Sequence, residues 1–104
     1  MADLAPLLER ISSLLKNRSA DPGDVTEMED TLTDGYARAL ELESERLRLE
    51  RRIGHLAHHV ESQGQADELR ALAARLRDVD LELDSLRSRL GALQKHLEET
   101  RTAA

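Results

Sequence analysis

Cysteine, phenylalanine and tryptophan are absent from the 104 residues, and Tyr36 is the single tyrosine. Without thiols there is no disulfide staple, no thiolate zinc site and no cysteine nucleophile. Without large rings, the usual filling of a compact core is missing. Proline occurs twice and glycine five times, so few residues interrupt helical propagation. No apolar run approaches the ~18 residues of a membrane span, and no charged, apolar and small-residue segments line up as a secretion signal. A cytoplasmic protein without a membrane partner is the expectation.

What is present is leucine, alanine and charge. Charged residues make up 35% and hydrophobic residues 39%, a balance typical of long helices and coiled coils. The net charge of −6 is uneven: residues 1–34 carry three basic and eight acidic side chains, and residues 35–104 twelve and thirteen. Phosphate binding needs a basic excess on one face. The only locally basic stretch, Glu45 to Arg52, is interrupted by glutamates and has no ring nearby to stack on a base. Nucleic acid is therefore not an expected partner. Thirteen arginines against two lysines point to a GC-rich bacterial genome.

The apolar spacing predicts three helices. Leu4, Leu7, Leu8, Ile11, Leu14 and Leu15 recur at three- and four-residue intervals behind a capping Asp3, giving a helix over 4–18. Ser19-Ala20-Asp21-Pro22-Gly23 ends it, making 19–24 a loop. Asn17-Arg18-Ser19 within this region is a chance glycosylation sequon. Asp24-Val25-Thr26-Glu27 looks like a capping box, and from Val25 a heptad pattern runs to 61. Its a positions are Val25, Leu32, Ala39, Arg46, Ile53 and Val60, and its d positions Met28, Gly35, Leu42, Leu49 and Leu56. Residues 62–67 form a turn with Gly64 as a helix-ending glycine and Asp67 as the next cap. A third helix over 68–101 carries Leu69, Leu76, Leu83, Leu90 and Leu97 at a, and Leu72, Val79, Leu86 and Leu93 at d.

Two helices of similar length joined by so short a turn fold back on each other. The fold class is thus all-α: a long antiparallel helical hairpin of coiled-coil type with a short N-terminal amphipathic helix, expected to assemble as a helical-bundle homodimer. Flanking charges choose between two registers. In one, facing residue numbers sum to about 132, as for Val60 with Leu72; in the other, to about 125. The first brings together Arg52 and Glu82, Glu45 and Arg89, Glu43 and Arg87, and Glu29 and Arg101, with one conflict at Glu50 and Asp80. The second opposes Glu45 to Glu82, Arg52 to Arg75, Arg38 to Arg89 and Glu43 to Asp80. Four such contrasts separate the registers by about 2–4 kcal/mol, so the first is expected. Arg46, alone among apolar seam residues, is expected to lay its aliphatic stem along the interface and reach Glu50, Glu82 or solvent with its guanidinium, the sharper reading being a register or specificity device.

No residue pattern indicates catalysis. The carboxylates follow heptad logic, and no phosphate-binding loop, nucleophile elbow or HExxH is present. His55, His58 and His59 near the turn include one i, i+4 pair, but a third and fourth ligand at suitable spacing are wanting. No metal or cofactor is expected. The E-x3-S-x2-R-x3-Q-x3-D pattern through which some bacterial helical anti-sigma factors bind a cyclic dinucleotide is absent, as is the Trp-x-Gly turn of WXG-type secreted helical proteins.

The remaining apolar residues suggest a non-enzymatic interaction module of the adaptor, chaperone-like or regulator-binding kind. Its partner surface would comprise Leu7, Ile11 and Leu14 of the first helix, Tyr36, Leu40 and Leu47 of the second, and Leu81 of the third. The first helix is expected to cover Tyr36 and Leu40 without reaching Leu47. The alternative is a ligand-responsive regulatory hairpin that binds a small anionic molecule.

Overall fold

The computed structural model describes residues 4–17 and 22–103, and within them every element is α-helical. Helix α1 spans Leu4–Lys16, α2 Pro22–Ala57 and α3 Gln63–Ala103. The expected cap Asp3 and the breaker residues Ser19, Ala20 and Asp21 lie outside the described residues, as does Arg18 at the predicted end of the first helix.

Both boundaries of α2 differ from the pattern-based expectation. The helix starts at Pro22, three residues before Val25. A proline in the first turn loses nothing, since that N–H has no partner inside the helix, and its fixed φ suits helical geometry. Asp24 then lies within the first turn, where its charge complements the helix dipole. At the other end α2 stops at Ala57 rather than 61. The His59 amide donates to the Leu56 carbonyl (3.0 Å) and His59 Nδ1 donates to the His55 carbonyl (2.8 Å), so a tightened turn and a side chain satisfy the last acceptors.

Helix α3 begins at Gln63, five residues before the expected 68. Ser62 and Gln65 form a capping box: Ser62 Oγ accepts from the Gln65 amide (3.2 Å), while Gln65 Oε1 accepts from the amides of Glu61 (2.8 Å) and Ser62 (3.1 Å). Gly64 is therefore inside the first turn, not a terminator. Asp67 is not a cap either; it accepts from Arg70 (2.8 Å) and Gln63 (3.0 Å).

The earlier start of α3 has a consequence for the whole pair. The connection is shortened to 58–62, its midpoint moves toward the N-terminus, and the two helices mate one heptad away from the register that charge pairing favoured. Gly35 sits against Leu90, so facing residue numbers sum to about 125. The helices run in opposite directions: Glu29 meets Arg101 (3.2 Å), Glu43 meets Arg87, Glu45 meets Arg75 (2.8 Å) and Arg52 meets Glu68 (2.9 Å). The expected pairs Arg52–Glu82 and Glu45–Arg89 are not formed; the pairs Glu43–Arg87 and Glu29–Arg101 are.

The core is one cluster gathered toward the α1 end. It joins Ile11 and Leu14 to Met28, Leu32, Ala39 and Leu42 of α2 and to Val79, Leu83, Leu86, Leu90, Leu93 and Leu97 of α3. Arg10 anchors α1 to α2 through Thr31 (3.1 Å) and Asp34 (3.0 Å). On α3, Arg89 donates to Ser12 (2.9 Å) and His96 Nε2 donates to the Asn17 carbonyl (3.2 Å). Beyond Leu42 the chain continues toward its turn as two helices only, and there Leu56 is buried apart from the main cluster while Ile53, Leu69, Leu72 and Leu76 are half-buried. The molecule measures 63 × 18 × 17 Å with a radius of gyration of 18.4 Å, a rod where a globule of this length would have a radius near ~13 Å.

Candidate interaction surface

A charged belt fixes the α2–α3 pair, and it explains why the disfavoured register survives. The heptad positions preceding the a residues alternate in sign on both helices: Arg38, Glu45 and Arg52 on α2, and Glu68, Arg75, Glu82 and Arg89 on α3. Sliding one helix by seven residues turns every attraction into a repulsion for side chains that reach straight across. Long side chains also reach diagonally, and here they do. Arg75 lies between two glutamates that would otherwise repel, 2.8 Å from Glu45 and 3.4 Å from Glu82. Arg52 leans to Glu68, Arg38 pairs with Glu41 (2.9 Å) along its own helix, and Arg89 turns to Ser12 of α1. On the other flank Glu43 takes Arg87 and leaves Asp80 to Arg46 (3.7 Å).

Arg46 thereby finds a clear role. Level with Val79 in the seam, it turns outward to Glu50 (3.5 Å) and Asp80, bridging the two carboxylates whose proximity was the conflict in the expected register. Of the residues expected to set the register, Arg46 meets Glu50 and Asp80, Arg52 meets Glu68, Glu45 and Glu82 share Arg75, and Arg89 binds Ser12 of α1.

Within this belt the Glu45–Arg75 contact is the least exposed, with side chains 27% and 30% accessible. The hydrogen bonds from Arg75, reinforced by its charge, hold the Glu45 carboxyl below its ordinary 4.5 against the opposing effect of desolvation. The same bonds raise the Arg75 guanidinium. A carboxyl depressed in the folded state contributes stability above its unfolded pKa and loses it as pH falls through the folded value. Glu45→Gln is therefore expected to cost about 1 kcal/mol at pH 6 and to flatten the loss of stability between pH 6 and pH 3. Urea denaturation at both pH values measures this, and equal pH slopes in the two proteins would exclude it.

The residues expected to meet a partner separate into two groups. Ile11 and Leu14 are buried in the chain's own core, and Leu7 packs half-buried against it. Tyr36 (46% accessible), Leu40 (64%), Leu47 (49%) and Leu81 (69%) remain exposed. The expectation that α1 covers Tyr36 and Leu40 is corrected by its anchoring contacts. Arg10, Ser12 and Asn17 bind Thr31, Arg89 and His96, all at the heptad position preceding a, whereas Tyr36 follows d on the opposite flank. Nothing in the apolar spacing of α1 distinguishes these flanks; the cation at Arg10 and the hydroxyl at Thr31 do.

Tyr36, Leu40 and Leu47 stand at intervals of four and seven residues and form one stripe along α2. Leu81 lies opposite the seam of α3, on a different face, at the level of Ser44. Val60, expected in the seam against Leu72, is 42% accessible because α2 ends before it.

Little else on the surface offers chemistry. The His55 and His59 rings stack with centroids 4.8 Å apart, and no three histidine or carboxylate residues converge into a metal-holding group among those described. The surface depressions are open to solvent; one beside α1 places Ser12, Ser13, Lys16 and Arg89 together with Glu9, so it is lined by charges of both signs. No described helix is long and apolar enough to cross a membrane. Comparison with protein-family models, curated proteins and solved structures finds no match to this chain.

Proposed function

We propose that this chain is a non-enzymatic protein–protein interaction module: an antiparallel coiled-coil hairpin closed at one end by α1, working in the cytoplasm as an adaptor or regulator-binding bundle and self-associating as a homodimer. The observation that carries this reading is the stripe of Tyr36, Leu40 and Leu47. Three large apolar side chains stay in solvent on one helix face although the chain has leucines enough to complete its core elsewhere. A helix face of this kind fits a partner helix laid along it.

Affinity purification of the native chain, read by native mass spectrometry, tests the proposal. A stably bound protein that is lost in the Leu40→Glu/Leu47→Glu variant, with helix content unchanged, is the expected result. Recovery of a small anionic molecule instead of a protein would overturn it in favour of a ligand-responsive hairpin.

A further inference from the structure

The exposed face of α2 is self-complementary. Between Thr33 and Gly54 it presents Thr33, Tyr36, Leu40, Ser44, Leu47 and Gly54, in which the two leucines are placed symmetrically about the point between Glu43 and Ser44. The charge on α2 divides at the same point. Residues 22–44 carry seven acids, Asp24, Glu27, Glu29, Asp30, Asp34, Glu41 and Glu43, against Arg38 alone; residues 45–57 carry Arg46, Arg48, Arg51 and Arg52 against Glu45 and Glu50.

We propose that α2 packs against α2 of a second copy of this chain, antiparallel, about a twofold axis beside Ser44. This rests on the interaction-module reading and names the occupant of its stripe. A twofold contact requires residue i to meet j while j meets i. Numbers summing to about 87 satisfy this: Leu40 meets Leu47 of the second copy and the reverse, Tyr36 receives Arg51 over its ring, and Thr33 lies against Gly54. A cation over a tyrosine face is itself favourable. One turn further round, Glu41 comes beside Arg48.

Three observations choose this arrangement over others. An antiparallel pairing with numbers summing to about 87 sets residues 30–42, with Asp30, Asp34 and Glu41 against Arg38, on the basic residues 45–57 of the other copy, whereas a parallel one sets acid on acid. Small residues occupy the places where backbones must approach, and Gly54 has no heavy atom within 4 Å of where its Cβ would stand, so nothing within the chain fills that space. The contact also sets a helix beside residues 43–57, a two-helix stretch where Leu56 is buried and Ile53, Leu69, Leu72 and Leu76 are half-buried. The other flank is held by α1, which leaves this face free.

Light scattering of the full chain at tens of micromolar is expected to give twice 11.7 kDa. Leu40→Glu/Leu47→Glu, which alters two exposed residues per chain and four per dimer, should weaken the dimer by at least about 100-fold. Because the chain has no native cysteine, single cysteines report geometry cleanly with a thiol-to-thiol reagent spanning about 8–10 Å, the usual separation of packed helix axes. Ser44→Cys chains should link to each other. Thr33→Cys chains should not, their sites being about 31 Å apart along the helices, yet should link to Gly54→Cys chains in a mixture. A monomeric mass, a dimer untouched by the double glutamate variant, or self-linking of Thr33→Cys would each overturn the inference. A chain that is monomeric and still holds a different protein through Leu40 and Leu47 would overturn this inference while leaving the interaction-module reading intact.

Discussion

Truncating Leu93 to alanine is expected to lower the unfolding free energy by about 2–5 kcal/mol, the usual cost of a cavity in a closed core, while Leu72→Ala should cost only about 1 kcal/mol, half a side chain's transfer free energy. Both residues hold the same heptad position on α3, and the sequence ranks them alike. They differ in what surrounds them. Leu93 is fully buried in the cluster that α1 joins through Ile11 and Leu14; Leu72 faces a single helix and keeps part of its surface in water. Equilibrium urea denaturation of the two variants gives the comparison. Equal losses would mean that the turn end is packed as densely as the α1 end, contrary to the distribution of burial. Amide exchange supplies a second reading, since the backbone around Leu86–Leu97 should exchange only through global unfolding and that around Leu69–Leu76 through smaller openings.

The contrast marks where one-dimensional pattern stops being informative. Heptad spacing identifies which leucines face inward on α2 and α3, because the 3.5-residue repeat depends on each helix alone. Which end of the pair gains a third helix depends on Arg10 finding Thr31 and Asp34, contacts more than twenty residues apart that no local period encodes. The register is a similar case. The alternating charges at Glu45, Arg52, Glu68, Arg75 and Glu82 permit every second heptad offset straight across and the intervening ones once diagonal reach is allowed, so charge alone could not select one. The Ser62–Gln65 capping box, a four-residue signal beside the more conspicuous Gly64, starts α3 at Gln63 and shortens the connection between the two helices. For the candidate surface, Tyr36, Leu40 and Leu47 are legible as leftovers from the seam and Leu47 as beyond the reach of the first helix, but the exposure of Tyr36 and Leu40 follows only from α1 taking the opposite flank.

Gly35 offers the sharpest test of the register. A Cβ added there would collide with Leu90 Cδ2 and stand 3.3 Å from its Cγ and 3.4 Å from Cδ1. Leu90 is 1% accessible, so its side chain has little room to rotate away. Glycine inside a helix costs up to about 1 kcal/mol relative to alanine, and that gain should appear in full for Gly91→Ala, where the added methyl meets nothing within 4 Å. At Gly35 the same gain is opposed by overpacking of about 1–3 kcal/mol, so Gly35→Ala should be destabilised relative to Gly91→Ala. Gly35→Leu should exceed that loss, reaching about 3 kcal/mol, because the whole side chain must enter an occupied space. Shortening the residue opposite ought to restore much of the loss, and which residue does so depends on the register. With facing numbers near 125 the partner is Leu90; with the offset that charge pairing favoured it is Leu97. Gly35→Leu combined with Leu90→Ala is therefore expected to be more stable than the sum of the two single changes predicts, a coupling of about 1–3 kcal/mol between residues in contact. Gly35→Leu combined with Leu97→Ala should be additive within about 0.5 kcal/mol. Rescue through Leu97 instead would mean that the two long helices slide by a heptad in solution.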